Sequence, residues 1–288
     1  MTTAADIGLS AGAAPTVPQM QRAYGAGALS TKLAGPRTRI DRLYQEGCAK
    51  IRLPRVFDGN WLEAVLINSS GGLTGGDRIT WRIETGAGTS SVVTTQASEK
   101  VYKSSGGVAS VHARISVGEG ARLAWLPQET ILFDRAGLSR QLEIDVARGG
   151  EVLVVEPVVF GRLAMGERVR AGTFNDRWTV RYDGRIVHGE ALSLGPDIAA
   201  QLGRRSVLAG NFAMATLLWL HPDAEDHLES IRAVAGPAGV SAWRVEAGRS
   251  GKLLARFVAE DGYQLRKRLV SVIELLNGRA GLPKVWSI

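Results

Sequence analysis

Cysteine is nearly missing from this 288-residue chain: Cys48 stands alone, which excludes an intrachain disulfide and a cysteine-rich zinc site. Histidine is almost as scarce. His112, His188, His221 and His227 are scattered, with no HExxH and no closely spaced pair of the kind a catalytic zinc ion favours. A tightly held soft metal is therefore not expected, nor any other tightly bound cofactor. No apolar run approaches the roughly 18 residues needed to cross a bilayer, so a membrane is not among the expected partners. The first basic residue is Arg22, and the N-terminus lacks the basic start and compact apolar stretch of a secretory signal. The expected location is the cytoplasm. Residues 1–20 read as a mobile tail rich in Ala, Gly and Thr, followed by a single β-rich domain over 21–288.

Neither is there a concentrated basic stripe. The net charge is +7, but Lys and Arg are spread along the chain, densest only at Arg266-Lys267-Arg268. No aromatic-interleaved RNP motif or zinc finger accompanies them, so a solvated basic surface or protein interface is expected rather than nucleic acid.

What the chain does have is alternation. Hydrophobic residues make up 45% and charged residues 22%, enough for a sizeable core. Ile79, Trp81 and Ile83 take one face of a strand while Arg78, Thr80, Arg82 and Glu84 take the other. Val111, Ala113, Ile115 and Val117 repeat the pattern, as do Leu142, Ile144 and Val146. Trp178, Val180 and Tyr182 run into the tight-turn pair Asp183-Gly184. The segments 82–96, 114–128 and 143–157 align as strand, glycine turn, strand, with anchoring isoleucines Ile83, Ile115 and Ile144. This period predicts stacked layers, a short β-helix-like or solenoid-like body, rather than a sandwich.

After Leu220 the periodicity turns helical. Leu228, Ile231 and Ala235 share one helix face, with Asp223 as the expected cap and Gly236-Pro237 as the stop. Leu265, Leu269, Val272 and Leu276 form a second stripe ended by Asn277-Gly278. Two C-terminal α-helices packed on the β body are thus expected, with Pro283 and Trp286 tying down the tail.

GGLTGGD (71–77) is not a phosphate loop. It lacks the Lys and hydroxyl of a Walker motif, Asp77 would repel phosphate, and a strand rather than a helix follows. Gly71, Gly72, Gly75 and Gly76 fit a turn between strands ending at Ile67 and beginning at Arg78. Asp77 remains undecided, as do Glu156 within the apolar VLVVEPVVFG, Glu190 closing RIVHGEALSL, Glu99 in TTQASEKVYKSSG, and Gln128-Glu129. A plain reading pairs each carboxylate with an arginine or a turn; a sharper one brings several together along a polar internal passage. An enzymatic variant makes Asp77 and Glu156 the acid and base of a carbohydrate-active β-helix. A serine hydrolase is disfavoured, because no GxSxG is present.

GGLTGGD, TTQASEKVYKSSG (94–106), LAWLPQETILFDRA (123–136) and EPVVFGRLAMGE (156–167), in that order and with the terminal PKVW, resemble the successive motifs of the UreD family, called UreH in some lineages. These are accessory proteins of urease maturation. The motif positions here include Glu99, Lys100, Tyr102, Gln128, Gly161, Arg162, Gly166 and Glu167. The resemblance spans roughly residues 35 to 288 and implies a predominantly β, helix-like stack with no enzymatic activity of its own. It also implies direct binding of UreF, contact with the GTPase UreG through UreF, and docking on the urease apoprotein. Nickel would travel in transit through an internal tunnel. Asp77, Glu156 and Glu190 fall on positions associated with that tunnel, Glu156 replacing an aspartate and Glu190 matching more loosely. Carboxylates suit transit, since imidazole and thiolate ligands would hold nickel too tightly to release it. A scaffold that opens urease without conducting metal is the alternative.

Overall fold

The computed structural model describes residues 21–56, 59–162, 165–236, 239–245 and 250–287. In chain order the strands are β1 (Tyr24–Ala34), β2 (Arg37–Gly47), β3 (Ala49–Arg52), β4 (Leu62–Asn68), β5 (Arg78–Thr85), β6 (Ser90–Thr95), β7 (Glu99–Val101), β8 (Ala109–Val117) and β9 (Arg122–Leu126). They continue with β10 (Thr130–Leu132), β11 (Gly137–Val146), β12 (Glu151–Phe160), β13 (Thr173–Tyr182), β14 (Arg185–Leu194), β15 (Ala213–His221), β16 (Gly239–Arg244) and β17 (Gly251–Ala259). Helix α1 (Ile198–Leu202) follows β14, α2 (Leu228–Ala235) follows β15, and α3 (Gly262–Leu276) follows β17.

The aligned repeats are the layers of the stack. Each sends its first strand to a seven-stranded sheet, ordered β14-β13-β11-β8-β5-β1-β2, and its second to a ten-stranded sheet, ordered β16-β17-β15-β12-β9-β6-β4-β3. The short β7 and β10 run along a third side and join the second sheet through β12. Within the stack β5, β8, β11 and β13 pair in parallel, as do β6, β9 and β12. The anchoring isoleucines fall in one row, Ile83 opposite Ile115 and Ile115 opposite Ile144, and all three are buried. Aliphatic side chains stacked in register fill the space between the sheets. The solenoid-like expectation is met.

A second core lies on the outer face of the ten-stranded sheet. Ile231 and Ala235 of α2, and Leu265, Leu269, Val272 and Leu276 of α3, pack there against Leu153, Leu217 and Phe257. The helical stripes read from the sequence are thus the buried faces. Three details differ. A third short helix, α1, precedes β15, and its turn is capped by Asp197. Strands β16 and β17 lie between the two later helices, so the β region does not end at Leu220. The residue preceding α2 is His227 rather than Asp223; the Asp223 carbonyl instead meets His227 Nδ1 at 3.0 Å. Asp261 caps α3 by accepting from the Gln264 N–H, and Asn277 ends it. Trp286 is buried, its indole N–H donating to the Leu126 carbonyl at 3.0 Å, which pins the C-terminal segment as expected. The expected tail, residues 1–20, lies outside the described residues.

Candidate functional site

The four sequence motifs meet along one side of the stack. Leu73 bridges Val101, its N–H donating to the Lys100 carbonyl at 2.8 Å, while Tyr102 N–H donates back to Leu73 at 2.7 Å. Gly72 sits at φ +146, and a Cβ there would lie 2.7 Å from the Lys100 carbonyl. Gly75 lies so close to the next motif that a Cβ would be 2.0 Å from Ser104 Oγ. Two glycines are therefore required for the approach of one layer to the next, whereas a Cβ on Gly71 would meet open space. The third motif continues the edge: Glu99 N–H donates to the Glu129 carbonyl, and Gln128 Nε2 donates to the Thr95 carbonyl. The fourth closes it, with Gly161 N–H on the Leu132 carbonyl and Arg162 ion-paired to Glu167 while lying 4.1 Å over the Phe133 ring. Gly166 adopts φ +72 in the turn between them.

Asp77 is buried and caps this edge. One carboxylate oxygen accepts from Ala23 N–H at 2.8 Å and the other from Thr74 N–H at 2.7 Å. Its geometry is that of a turn-holding carboxylate. Nearby Glu99 accepts from Asn68 Nδ2 at 3.1 Å. Burial pushes the Glu99 carboxyl up to about 7, with the Asp77 charge adding to the rise and the Asn68 bond opposing it.

Deeper in, a polar row crosses between the two sheets. Glu99 pairs with Thr130 in the parallel β7–β10 ladder, so both side chains take the same side. Thr130 Oγ accepts from Arg140, at 3.3 Å. Arg140 projects from β11 and reaches two carboxylates: Asp176 on neighbouring β13, through bonds of 3.0 and 2.5 Å, and Glu156 on β12 of the opposite sheet. Trp125 Nε1 donates to the other Glu156 oxygen at 2.7 Å. All three charged side chains are buried. Burial opposes the charge of Arg140, but Asp176 and Glu156 raise its pKa; burial raises that of Glu156 despite the guanidinium.

From Glu156 the row continues along the ten-stranded sheet. Glu156 lies opposite Thr216, and Thr216 opposite Arg256, so the three share the inward face. Arg256 crosses back to Glu190 on β14, with a two-pronged contact of 2.7 and 2.6 Å. Burial acts to raise the Glu190 carboxyl, yet His188 and the Arg256 guanidinium hold it down at about 2. Two inter-sheet ion clusters thus flank Thr216. The indole nitrogen of Trp178, opposite Glu190, is buried without a hydrogen-bond partner, as is Nε2 of His188, 3.6 Å from the Glu190 carboxylate.

Sequence reasoning singled out Glu156 and Glu190, which this row joins, and Asp77, which lies at its edge beside Glu99. It missed Arg140 and Asp176, since a lone Arg or Asp at an alternating strand position looks like any solvent-facing residue. It also treated the histidines as scattered. His221 stacks on Trp219 with ring centroids 4.3 Å apart, and His227 approaches the same ring at 5.3 Å, beside a groove of about 500 Å³ on the outer sheet face. Among the described residues no group of three or more His, Cys, Asp or Glu is arranged to hold a metal ion. Among the described residues, too, no helix is long and apolar enough to cross a membrane.

The fold and the row define a class: a scaffold of stacked parallel layers whose interior is crossed by paired charges. Comparison with known proteins gives the family. The model of the UreD urease accessory protein matches residues 23–287. A urease accessory protein UreD of Mesorhizobium japonicum is 55% identical over 272 residues, covering 94% of this chain and 96% of the relative. One from Agrobacterium fabrum is 54% identical over 271 residues, 94% and 93% of the two chains, and a UreD 1 of Brucella melitensis biotype 1 is 53% identical over 270, 93% and 95%. The chain belongs to the UreD family of urease accessory proteins.

Proposed function

We propose that this chain is a non-catalytic urease maturation factor that passes nickel to urease along the inter-sheet row. In this reading it binds UreF directly, reaches the GTPase UreG through UreF, and docks on the urease apoprotein in the cytoplasm. It holds no cofactor tightly, and nickel is its cargo. The observation that carries the reading is the continuity of polar groups from Glu99 through Thr130, the buried Arg140, Glu156 and Thr216, to the solvent-exposed Arg256 and its partner Glu190. A buried charge is costly unless it is paired.

Each carboxylate of the row is engaged, so an ion moves by exchange: it takes a carboxylate while the arginine swings to water or to a second acceptor. Weak, replaceable oxygen ligands favour release over retention. Asp77 acts at the edge, fixing the turn that positions Glu99.

The test is co-expression of Asp77→Ala, Glu156→Ala and Glu190→Ala chains with UreF and urease subunits, followed by pull-down and nickel counting in the recovered urease. Assembly retained with nickel content reduced for Glu156→Ala and Glu190→Ala is the expected result. Full nickel loading by both variants in intact complexes leaves the non-conducting scaffold as the answer. Failure to recover UreF or urease with the wild-type chain defeats the reading altogether.

A further inference from the structure

β2 ends the seven-stranded sheet, and beyond β1 it has no partner strand among the described residues. Ten of its eleven residues are exposed, Thr38 being the exception. The Ala34–Arg37 pair closes a tight hairpin, and alternation from that pair turns the backbone groups of Thr38 and Ile40 away from β1. Thr38 obeys this, donating to the Asn60 carbonyl at 2.8 Å. The next outward N–H, that of Ile40, has no such bond among the described residues.

The side chains of this hairpin are sorted. Arg37, Arg39 and Arg42 stand opposite Ala34, Lys32 and Ser30 on one side, while Ile40 and Leu43 stand opposite Thr31 and Leu29 on the other. Of the fourteen exposed large apolar side chains among the described residues, Leu33, Ile40 and Leu43 share this second face of the hairpin, while Tyr24 and Tyr44 stand on the arginine face. A groove of about 360 Å³ runs between β2 and residues 53–62. It is lined by Arg37, Arg39 and Arg55 beside Ile40, Leu53 and Trp61, with no carboxylate among its described lining residues.

Sheet edges are commonly blunted with charge and bulges, and β2 has both, the bulge falling near Asp41. Blunting does not call for apolar side chains beside the open backbone. Self-pairing is disfavoured too, because two copies meeting at this edge would set arginine against arginine. We infer that β2 is a docking edge for an extended acidic segment of a partner protein, which adds as a further strand. Its backbone pairs with the outward groups of β2, its Asp or Glu side chains face the arginines, and its alternate apolar residues lie on Ile40, Leu43 and Leu53. The inference stands apart from the nickel route, and its test needs neither urease nor nickel.

The probe is a labelled ten-residue peptide alternating valine and glutamate, with a second carrying lysine for glutamate, titrated into the full chain by fluorescence anisotropy. The glutamate peptide is expected to bind, and the lysine peptide to bind at least tenfold more weakly. Arg37→Glu/Arg39→Glu and Ile40→Pro are each expected to weaken the glutamate peptide at least tenfold. Proline at position 40 removes an outward N–H while sparing the β1 pairing. As a measure independent of any variant, hydrogen exchange over residues 39–45 of the wild-type chain slows when peptide is added. Equal binding by a folded Ile40→Pro chain, or unchanged exchange, reduces the edge to a charged surface and overturns the inference. Binding that appears only after residues 1–20 are removed assigns the edge to the chain's own N-terminus. A wild-type dimer broken by Ile40→Pro assigns it to a second copy. Either result also overturns the inference.

Discussion

Arg140 of the seven-stranded sheet bonds Glu156 of the ten-stranded sheet, and the contact joins the two walls of the stack inside a buried cluster with Asp176. Removing Arg140 strands both carboxylates without a counter-charge. Arg140→Met is expected to destabilise the chain by about 3–5 kcal/mol, whereas Arg140→Met/Glu156→Leu/Asp176→Leu restores most of that loss. Urea unfolding midpoints of the two variants provide the check.

Glu190 contributes to acid stability in a defined window. Its folded pKa of about 2 lies below the ordinary 4.5, so the folded chain binds fewer protons than the unfolded chain between those values. The contribution is present above pH 4.5 and is lost as the pH falls toward about 2. Glu190→Gln should therefore lower stability near neutral pH and flatten the acid limb. A thermal-melt series across that limb that matches wild type would refute the pairing.

Glu99 acts with the opposite sign. Its folded pKa of about 7 exceeds 4.5, so the folded chain holds the extra proton between these values. Its contribution is fully present below pH 4.5 and is lost as the pH rises through about 7. Glu99→Gln, which mimics the protonated form, is expected to gain stability relative to wild type at about pH 8 and to differ little at about pH 4. Paired urea titrations at the two pH values measure the difference.

Trp286 is buried, bonded through its indole to Leu126 and packed in one cluster with the α3 face. Trp286→Ala should cost about 3–5 kcal/mol, the range for deleting a large buried side chain. Differential scanning calorimetry of the variant tests it.

Much of this arrangement was legible in the sequence, for physical reasons that can be named. Alternation fixes which face of a strand is buried, so Ile83, Ile115 and Ile144 announced their layer before their pairing was known. Glycine turns at a near-constant period announced the stack. Helical spacing in α3 named its buried residues directly. What escaped were facts of sheet order. Arg140 and Asp176 are adjacent only because β11 lies beside β13, and Glu156 joins them only because the second sheet faces the first. No local pattern encodes a meeting of residues on three strands. The approach of His227 to Trp219 likewise depends on where α2 begins, whereas His221 stacks on Trp219 from two positions along β15. The resemblance of the motifs supplied the family, while Asp77, undecided from the residues alone, holds the turn through bonds that depend on where Ala23 and Thr74 lie.

The contact of Trp286 with Leu126 and Thr94 spans 160 and 192 positions of sequence. During synthesis the layers can wind one upon another as they emerge, each new strand finding its predecessor already in place. The segment carrying Trp286, made after every layer, then returns to the early ones and closes over them beside the helices. A chain interrupted just before Trp286 would carry every layer of the stack and still leave its second core open to water, a state that chaperones and proteases recognise.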